Sequence, residues 1–119
     1  MDHFYMNIGQ NDWFTYPKLY SEVVQKFPTN SHFVEVGVWE GKSAAYMAVE
    51  ILNSGKQIRF DCVDIWQWYP EQKDIGTIHF DNRDIFEEFK TNLAPVLSHI
   101  TPIKMWSHEA AALYPDHSL

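Results

Sequence analysis

The sequence predicts an α/β domain, helices flanking a mainly parallel sheet in three layers, and three observations carry that expectation. Residues 33–36 form a short apolar run, Phe33-Val34-Glu35-Val36, that enters a turn marked by Gly37 and Gly41. A helical pattern with a face of small residues follows, and residues 58–65 then read as a second strand. Strand, helix and strand within about 35 residues make a βαβ unit, whose two strands must be parallel.

The 119 residues suffice for one domain, 1–119, and not for two. With 45% apolar and 16% aromatic residues the chain has the material for a packed core, which argues against disorder. A net charge of −7 speaks against nucleic acid or an anionic membrane as partner, and leaves a small molecule as the expected one. One cysteine, no basic-then-apolar leader and no long apolar run make the cytoplasm the expected compartment. That cysteine, Cys62, lies in a strand pattern and reads as a small buried hydrophobe.

Residues 1–16 read as an irregular arm, which leans on the domain through Phe4, Tyr5 and Trp13. Apolar residues at three- and four-residue steps, Leu19, Tyr20, Val23, Val24 and Phe27, predict an amphipathic helix over 17–27, with Pro17 in its first turn and Pro28 ending it. After a turn at 28–31, residues 32–37 form the first strand, whose Phe33, Val34 and Val36 should be buried. The next helix spans 41–53, with Ala44, Ala45 and Ala48 allowing close approach to a sheet and Gly55 stopping it.

Residues 66–81 have no period but are rich in aromatics, Trp66, Trp68, Tyr69 and Phe80 among them, and read as a lid or pocket wall. A helix follows over 82–97, broken near Leu93 by Pro95. Residues 100–106 form a third strand, with Pro102 pointing to its start or to a sheet edge. Ser107 then caps a last helix reaching Leu113. The pattern stops at residues 116–119 on the approach to another strand, so the sheet is expected to be truncated after its third strand and to expose an edge through which the chain could associate with itself.

In a parallel α/β sheet, ligands collect at the carboxyl ends of the strands. Those ends carry Glu35, Gly37 and Gly41; then Asp64 and Trp66; then Ser107. Glu35 is an acceptor beside the turn, the glycines let backbone N–H groups face a ligand, and Asp64 can take two hydrogen bonds from a ribose diol. The set describes a nucleoside site. Each member also has a plainer role: Glu35 as a surface carboxylate, the glycines as a tight turn only, Asp64 as a turn cap.

The stretch Val34-Glu35-Val36-Gly37-Val38-Trp39-Glu40-Gly41 resembles the first motif of class I S-adenosylmethionine-dependent methyltransferases, and Cys62-Val63-Asp64-Ile65-Trp66 resembles their second. The pattern is most similar to the methyltransferase family 24 branch, with its E-x-G-x-x-x-G-x-S and V-D-x-W, and the likeness covers residues 30–119. It implies a Rossmann-like fold, S-adenosylmethionine as cofactor, and methyl transfer to a small-molecule acceptor, with this chain carrying the cofactor-binding half. It further implies that Glu35 and Gly37 face the methionine end and that Trp39, Gly41 and Ser43 line the turn. Asp64 would hold the ribose hydroxyls, Ile65 and Trp66 would border the adenine, and Ser107 would lie near its edge. The departure is Trp39, where many relatives carry a middle glycine. In that branch the next strand, with an acid-Gly-x-His stretch, would begin beyond Leu119, so no catalytic residue is assigned.

Two other nucleotide readings fail on spacing. Gly37 and Gly41, followed by Lys42-Ser43, lack one residue of the phosphate-binding P-loop, and Trp39 stands where a dinucleotide fold needs its second glycine. The six histidines show no pairing suited to a metal. The non-enzymatic alternative is a nucleoside-cofactor-binding or assembly module without a catalytic half.

Overall fold

Parallel pairing of β1 (His32–Val36) with β2 (Arg59–Asp64), and of β2 with β5 (Thr101–Lys104), builds the main sheet in the order β1-β2-β5. Glu35 stands opposite Cys62 and Asp64 opposite Lys104, so the carboxyl ends of the strands lie side by side. The computed structural model describes residues 1–9, 13–67, 74–75, 78–79 and 83–119. The helices are α1 (Pro17–Lys26), α2 (Lys42–Ser54), α3 (Ile85–Asn92) and the single turn α4 (Ser107–Ala110). Two short strands, β3 (Asp74–Ile75) and β4 (Ile78–His79), pair antiparallel apart from the main sheet. This is the α/β fold the sequence predicts, three parallel strands with flanking helices.

The helices start and stop where their chemistry dictates. Pro17 occupies the first position of α1, where its missing N–H costs nothing. The α2 helix lies between two glycines in the left-handed region, Gly41 at φ 97° and Gly55 at φ 72°. Asp84 caps α3 by accepting the Glu87 N–H at 3.1 Å. The helix ends at Asn92, and a 3-10 stretch, Ala94–His99, absorbs Pro95. Pro102 sits inside β5, which is tolerated because among the described residues β5 pairs on one side only.

The core joins Ala44, Ala45, Ala48 and Val49 of α2 to Phe60 and Cys62 of β2 and to Phe89, Leu93 and Val96. Cys62 is fully buried, and burial pushes its thiol well above the ordinary range. A buried carboxylate, Asp61, three residues before Asp64 within β2, is held by Tyr114 Oη at 2.6 Å, His32 Nε2 at 2.7 Å and Arg59 Nε at 3.1 Å. Burial alone would raise its pKa, but these three donors together hold it below the usual carboxylate range.

Two expectations are corrected. Among the described residues β1 has no partner on its outer side, so Phe33 and Val34 are half-buried and Val36 is 59% exposed. Ser107 is the first residue of α4 and Trp106 takes the cap position, while residues 111–113 tighten into a 3-10 turn. The arm, irregular apart from a 3-10 turn at Tyr5–Asn7, leans on the domain through Phe4 and Tyr5, with Ile8 in the core and His3 stacked on Tyr46 at 4.3 Å. Residues 10–12 of that arm, the helix start at Asn82, and Trp68, Tyr69 and Phe80 of the expected lid lie outside the described residues.

Candidate functional site

The turn from β1 to α2 is held by a carboxylate one strand away. Asp64 Oδ2 accepts the N–H groups of Val38 and Trp39, both at 2.8 Å, while its Oδ1 accepts Trp66 N–H at 2.8 Å. A carboxylate offers about four acceptor directions, so three are used and one remains, at Oδ1. Of the roles open to Asp64, capping the turn is therefore the one seen here. The two tryptophans on either side of it have positive φ, 54° at Trp39 and 47° at Trp66, which costs a bulky residue on the order of 1 kcal/mol each. The bonds to Asp64 hold both in place, and Trp66 Nε1–H adds a bond to the Trp39 carbonyl at 2.9 Å.

The two motif glycines have different tasks. Gly37, at φ 81°, has nothing within 4 Å of where a Cβ would stand, so its surface is open. Gly41 is crowded: a Cβ there would come within 2.3 Å of Leu93 Cδ1 and 3.0 Å of Phe89 Cδ2. It lets α3 pack against the turn. Neither glycine turns its own N–H outward, contrary to expectation, since Gly37 N–H bonds the Val63 carbonyl at 2.9 Å and Gly41 N–H the Val38 carbonyl at 3.0 Å. Strand extension and turn closure have claimed them.

Glu35 stands above this turn and is half-buried. Its Oε1 accepts from Tyr20 Oη at 2.9 Å and its Oε2 from Ser43 Oγ at 2.7 Å. Burial raises its pKa, and the nearby Asp64 charge adds to this against the opposing pull of the two hydroxyls. Burial and then Glu35 also push the Tyr20 phenol far above its ordinary value.

A cavity of about 230 Å³ opens here, and its walls include Glu35, Gly37, Trp39, Gly41 and Ser43. The structure thus brings five of the nine predicted site residues to one space. Asp64 lies beneath them as the turn's support. Trp66 is elsewhere: only 3% exposed, it stacks on Phe86 at 4.6 Å and belongs to the core. Ile65 is half-buried, and Ser107 is exposed at the start of α4; neither lines this cavity.

Sequence reasoning missed Tyr20, Phe14 and Tyr16 as cavity walls. The one available signal was a phenol at an apolar position of α1, since a tyrosine there must find its hydroxyl a partner. It also missed the clamp behind the turn. Arg83 Nη2 donates to Glu40 Oε2 at 2.9 Å and to Glu88 Oε1 at 2.8 Å, and Asn92 Nδ2 donates to the Glu40 carbonyl at 3.0 Å. Among the described residues, no three His, Cys, Asp or Glu side chains gather as a metal ligand set, and no helix is long and apolar enough to cross a membrane.

Neither protein-family models nor curated proteins match this chain. Among solved structures, it is similar to a cyclopropane-fatty-acyl-phospholipid synthase-like protein from Lactobacillus casei ATCC 334, with 10% sequence identity and a TM-score of 0.48. The match covers 94% of this chain but 40% of that one, so the chain spans well under half of its neighbour's length. A likeness of that strength carries no argument about activity.

Proposed function

We propose that this chain binds S-adenosylmethionine at the β1–α2 turn and serves, in the cytoplasm, as the cofactor-binding part of a methyltransferase of the family 24 type acting on a small-molecule acceptor. The observation that carries this reading is the open surface of Gly37 beside Glu35 and Ser43, at the carboxyl end of one parallel strand and braced by a carboxylate from the next. Ligands of α/β sheets settle at such strand ends.

The residues fit one end of the cofactor better than the other. Gly37 leaves space for a ligand and Glu35 offers a carboxylate at the cavity wall, which supports assigning the amino-acid and sulfonium end to this cavity. For the ribose there is the one remaining acceptor direction of Asp64. When bound, the cofactor supplies an electrophilic methyl group on a positively charged sulfur. This chain's part is to hold and orient that group and to limit the water around it, a contribution of proximity rather than of proton transfer.

Calorimetry with S-adenosylmethionine tests the reading. We expect saturable binding by the wild-type chain and at least about tenfold weaker binding by Gly37→Val, whose side chain would enter the open surface. Absence of binding by a folded wild-type chain would sink it.

A second reading, an association module, is favoured by one observation. Along β1 and α1 runs an apolar groove of about 580 Å³, whose walls include Leu19, Phe27, Phe33 and Val34. A second copy of the chain placed there would cover it. Sedimentation at several protein concentrations distinguishes a monomer from such a dimer.

A further inference from the structure

The outer edge of β1 carries a row of backbone groups that no strand uses. Gly37 N–H bonds the Val63 carbonyl, and Arg59 N–H bonds the Ser31 carbonyl. Peptide groups alternate in direction along a strand, so Phe33 and Glu35, in step with residues 31 and 37, turn theirs toward β2, while His32, Val34 and Val36 turn theirs away from it. Among the described residues nothing pairs with β1 on that side. Edge strands are ordinarily defended by a lysine, a proline or a bulge. β1 has neither residue, and its register with β2 runs from His32 to Val36 without a break.

The surface beside this edge is apolar. Leu19, Phe27 and Val36 are 52%, 42% and 59% exposed, and Leu19, Val23 and Phe27 border the groove together with Phe33 and Val34. On α1, the exposed Lys18, Glu22 and Lys26 stand about one turn apart and alternate in sign.

We propose that β1 pairs antiparallel with β1 of a second copy, about a two-fold axis at Val34, so that the two sheets join into one. This deepens the association reading given above and rests on it. Symmetry singles out a second copy as the partner. The outward residues 32, 34 and 36 are spaced evenly about Val34, so the axis sets Val34 opposite the partner's Val34 and Val36 opposite the partner's His32. Every outward N–H then meets an outward carbonyl, the self-complementary pattern a two-fold interface requires. The two Glu35 carboxylates stay apart, because each lies opposite the partner's Phe33 and like charges do not face each other. The same axis runs the two α1 helices antiparallel, where alternating charges can match acid to base. One consequence reaches the turn: Val36 also lines the cavity there, so this register brings the partner's His32 to the cavity rim.

Sedimentation of the whole chain at rising concentration is expected to reach twice the mass of the single chain. The register is read from Val34→Cys and Val36→Cys, each first shown to be folded by circular dichroism and then treated with the short crosslinker 1,2-ethanediyl bismethanethiosulfonate. Cys62 is fully buried and does not compete. In the proposed pairing the two copies of residue 34 lie about 5.5 Å apart and the two copies of residue 36 about 14 Å apart. We expect Val34→Cys to be crosslinked at least about tenfold faster, although Val36 is the more exposed position and random encounters would favour it. A dimer in which Val36→Cys reacts as fast or faster overturns the β1 pairing and leaves the association reading standing. A chain that stays monomeric at every concentration overturns both.

Discussion

The carboxylate of Asp64 and the backbone N–H of Trp39, 25 residues apart in the chain, meet at 2.8 Å and make the β1–α2 turn a property of β2 as much as of β1. With Val38 and Trp66 the same side chain satisfies three amides. Hydrogen bonds to a charged group contribute about 1.5–3 kcal/mol, and amides stranded by its removal add to the loss. Asp64→Ala is therefore expected to destabilise the chain by about 2–3 kcal/mol, measured by urea unfolding. In hydrogen exchange the amides of Val38, Trp39 and Trp66 should lose protection together. Independent exchange at the three would contradict the shared staple.

The two glycines of the turn should respond differently to alanine. Gly37→Ala meets open space and bears only the left-handed backbone, a cost of about 1–2 kcal/mol. Gly41→Ala bears a similar backbone cost and also drives a methyl into Leu93 and Phe89, adding about 1–3 kcal/mol of overpacking. Thermal melting of the two variants side by side checks the order, with Gly41→Ala the less stable.

Glu35 and Asp61 pull stability in opposite directions as pH changes. The folded chain raises the Glu35 pKa above its usual 4.5, so the folded state binds this proton more tightly than the unfolded one. Its destabilising effect is complete above the raised value and is relieved as pH falls toward 4.5. Asp61, held below its usual 3.8, stabilises above that value and loses this contribution as pH falls through its lowered one. Glu35→Gln is thus expected to be more stable than wild type at neutral pH, provided the amide keeps the Tyr20 and Ser43 bonds, with the difference vanishing on acidification. Urea midpoints between pH 4 and 8 give the comparison, and an unchanged or lower neutral stability would falsify it.

Arg83 links the turn to α3 through Glu40 and Glu88. Glu40 is nearly buried, and removing one partner of a buried ion pair costs about 3–5 kcal/mol. The exposed Lys90–Glu87 pair, three residues apart on α3, is worth at most about 0.5 kcal/mol. Arg83→Met should lower the melting temperature by several degrees while Lys90→Met leaves it nearly unchanged.

The fold was legible because its signals are local: periodicity for α1, alanines and flanking glycines for α2, an acidic cap for α3. The strand-end rule also placed Glu35, Gly37, Trp39, Gly41 and Ser43 together, since adjacency in sequence guarantees adjacency in a turn. What sequence could not supply is which partner a polar group takes. Asp64 and Trp66 have the residue types of a ligand contact, yet one braces amides and the other stacks in the core. Val36 has the residue type of a buried strand position, and it is the one-sided pairing of β1 among the described residues that leaves it exposed. Tyr20 and Phe14 escaped because nothing local says that the arm and α1 fold across the end of β1.

The arm gives the order of synthesis a part in assembling the cavity. Its contacts reach far along the chain: the amino terminus bonds Asn53 Oδ1, and His3 bonds Glu50. Met1, His3, Tyr5 and Phe14 thus leave the ribosome before the α2 residues they touch, and translation at ~5–20 residues per second makes them wait seconds for those partners. Until α2 emerges, Phe14 lacks the Tyr46 ring it packs against at 5.6 Å, so this wall of the cavity is expected to close only after residues 42–54 have been made.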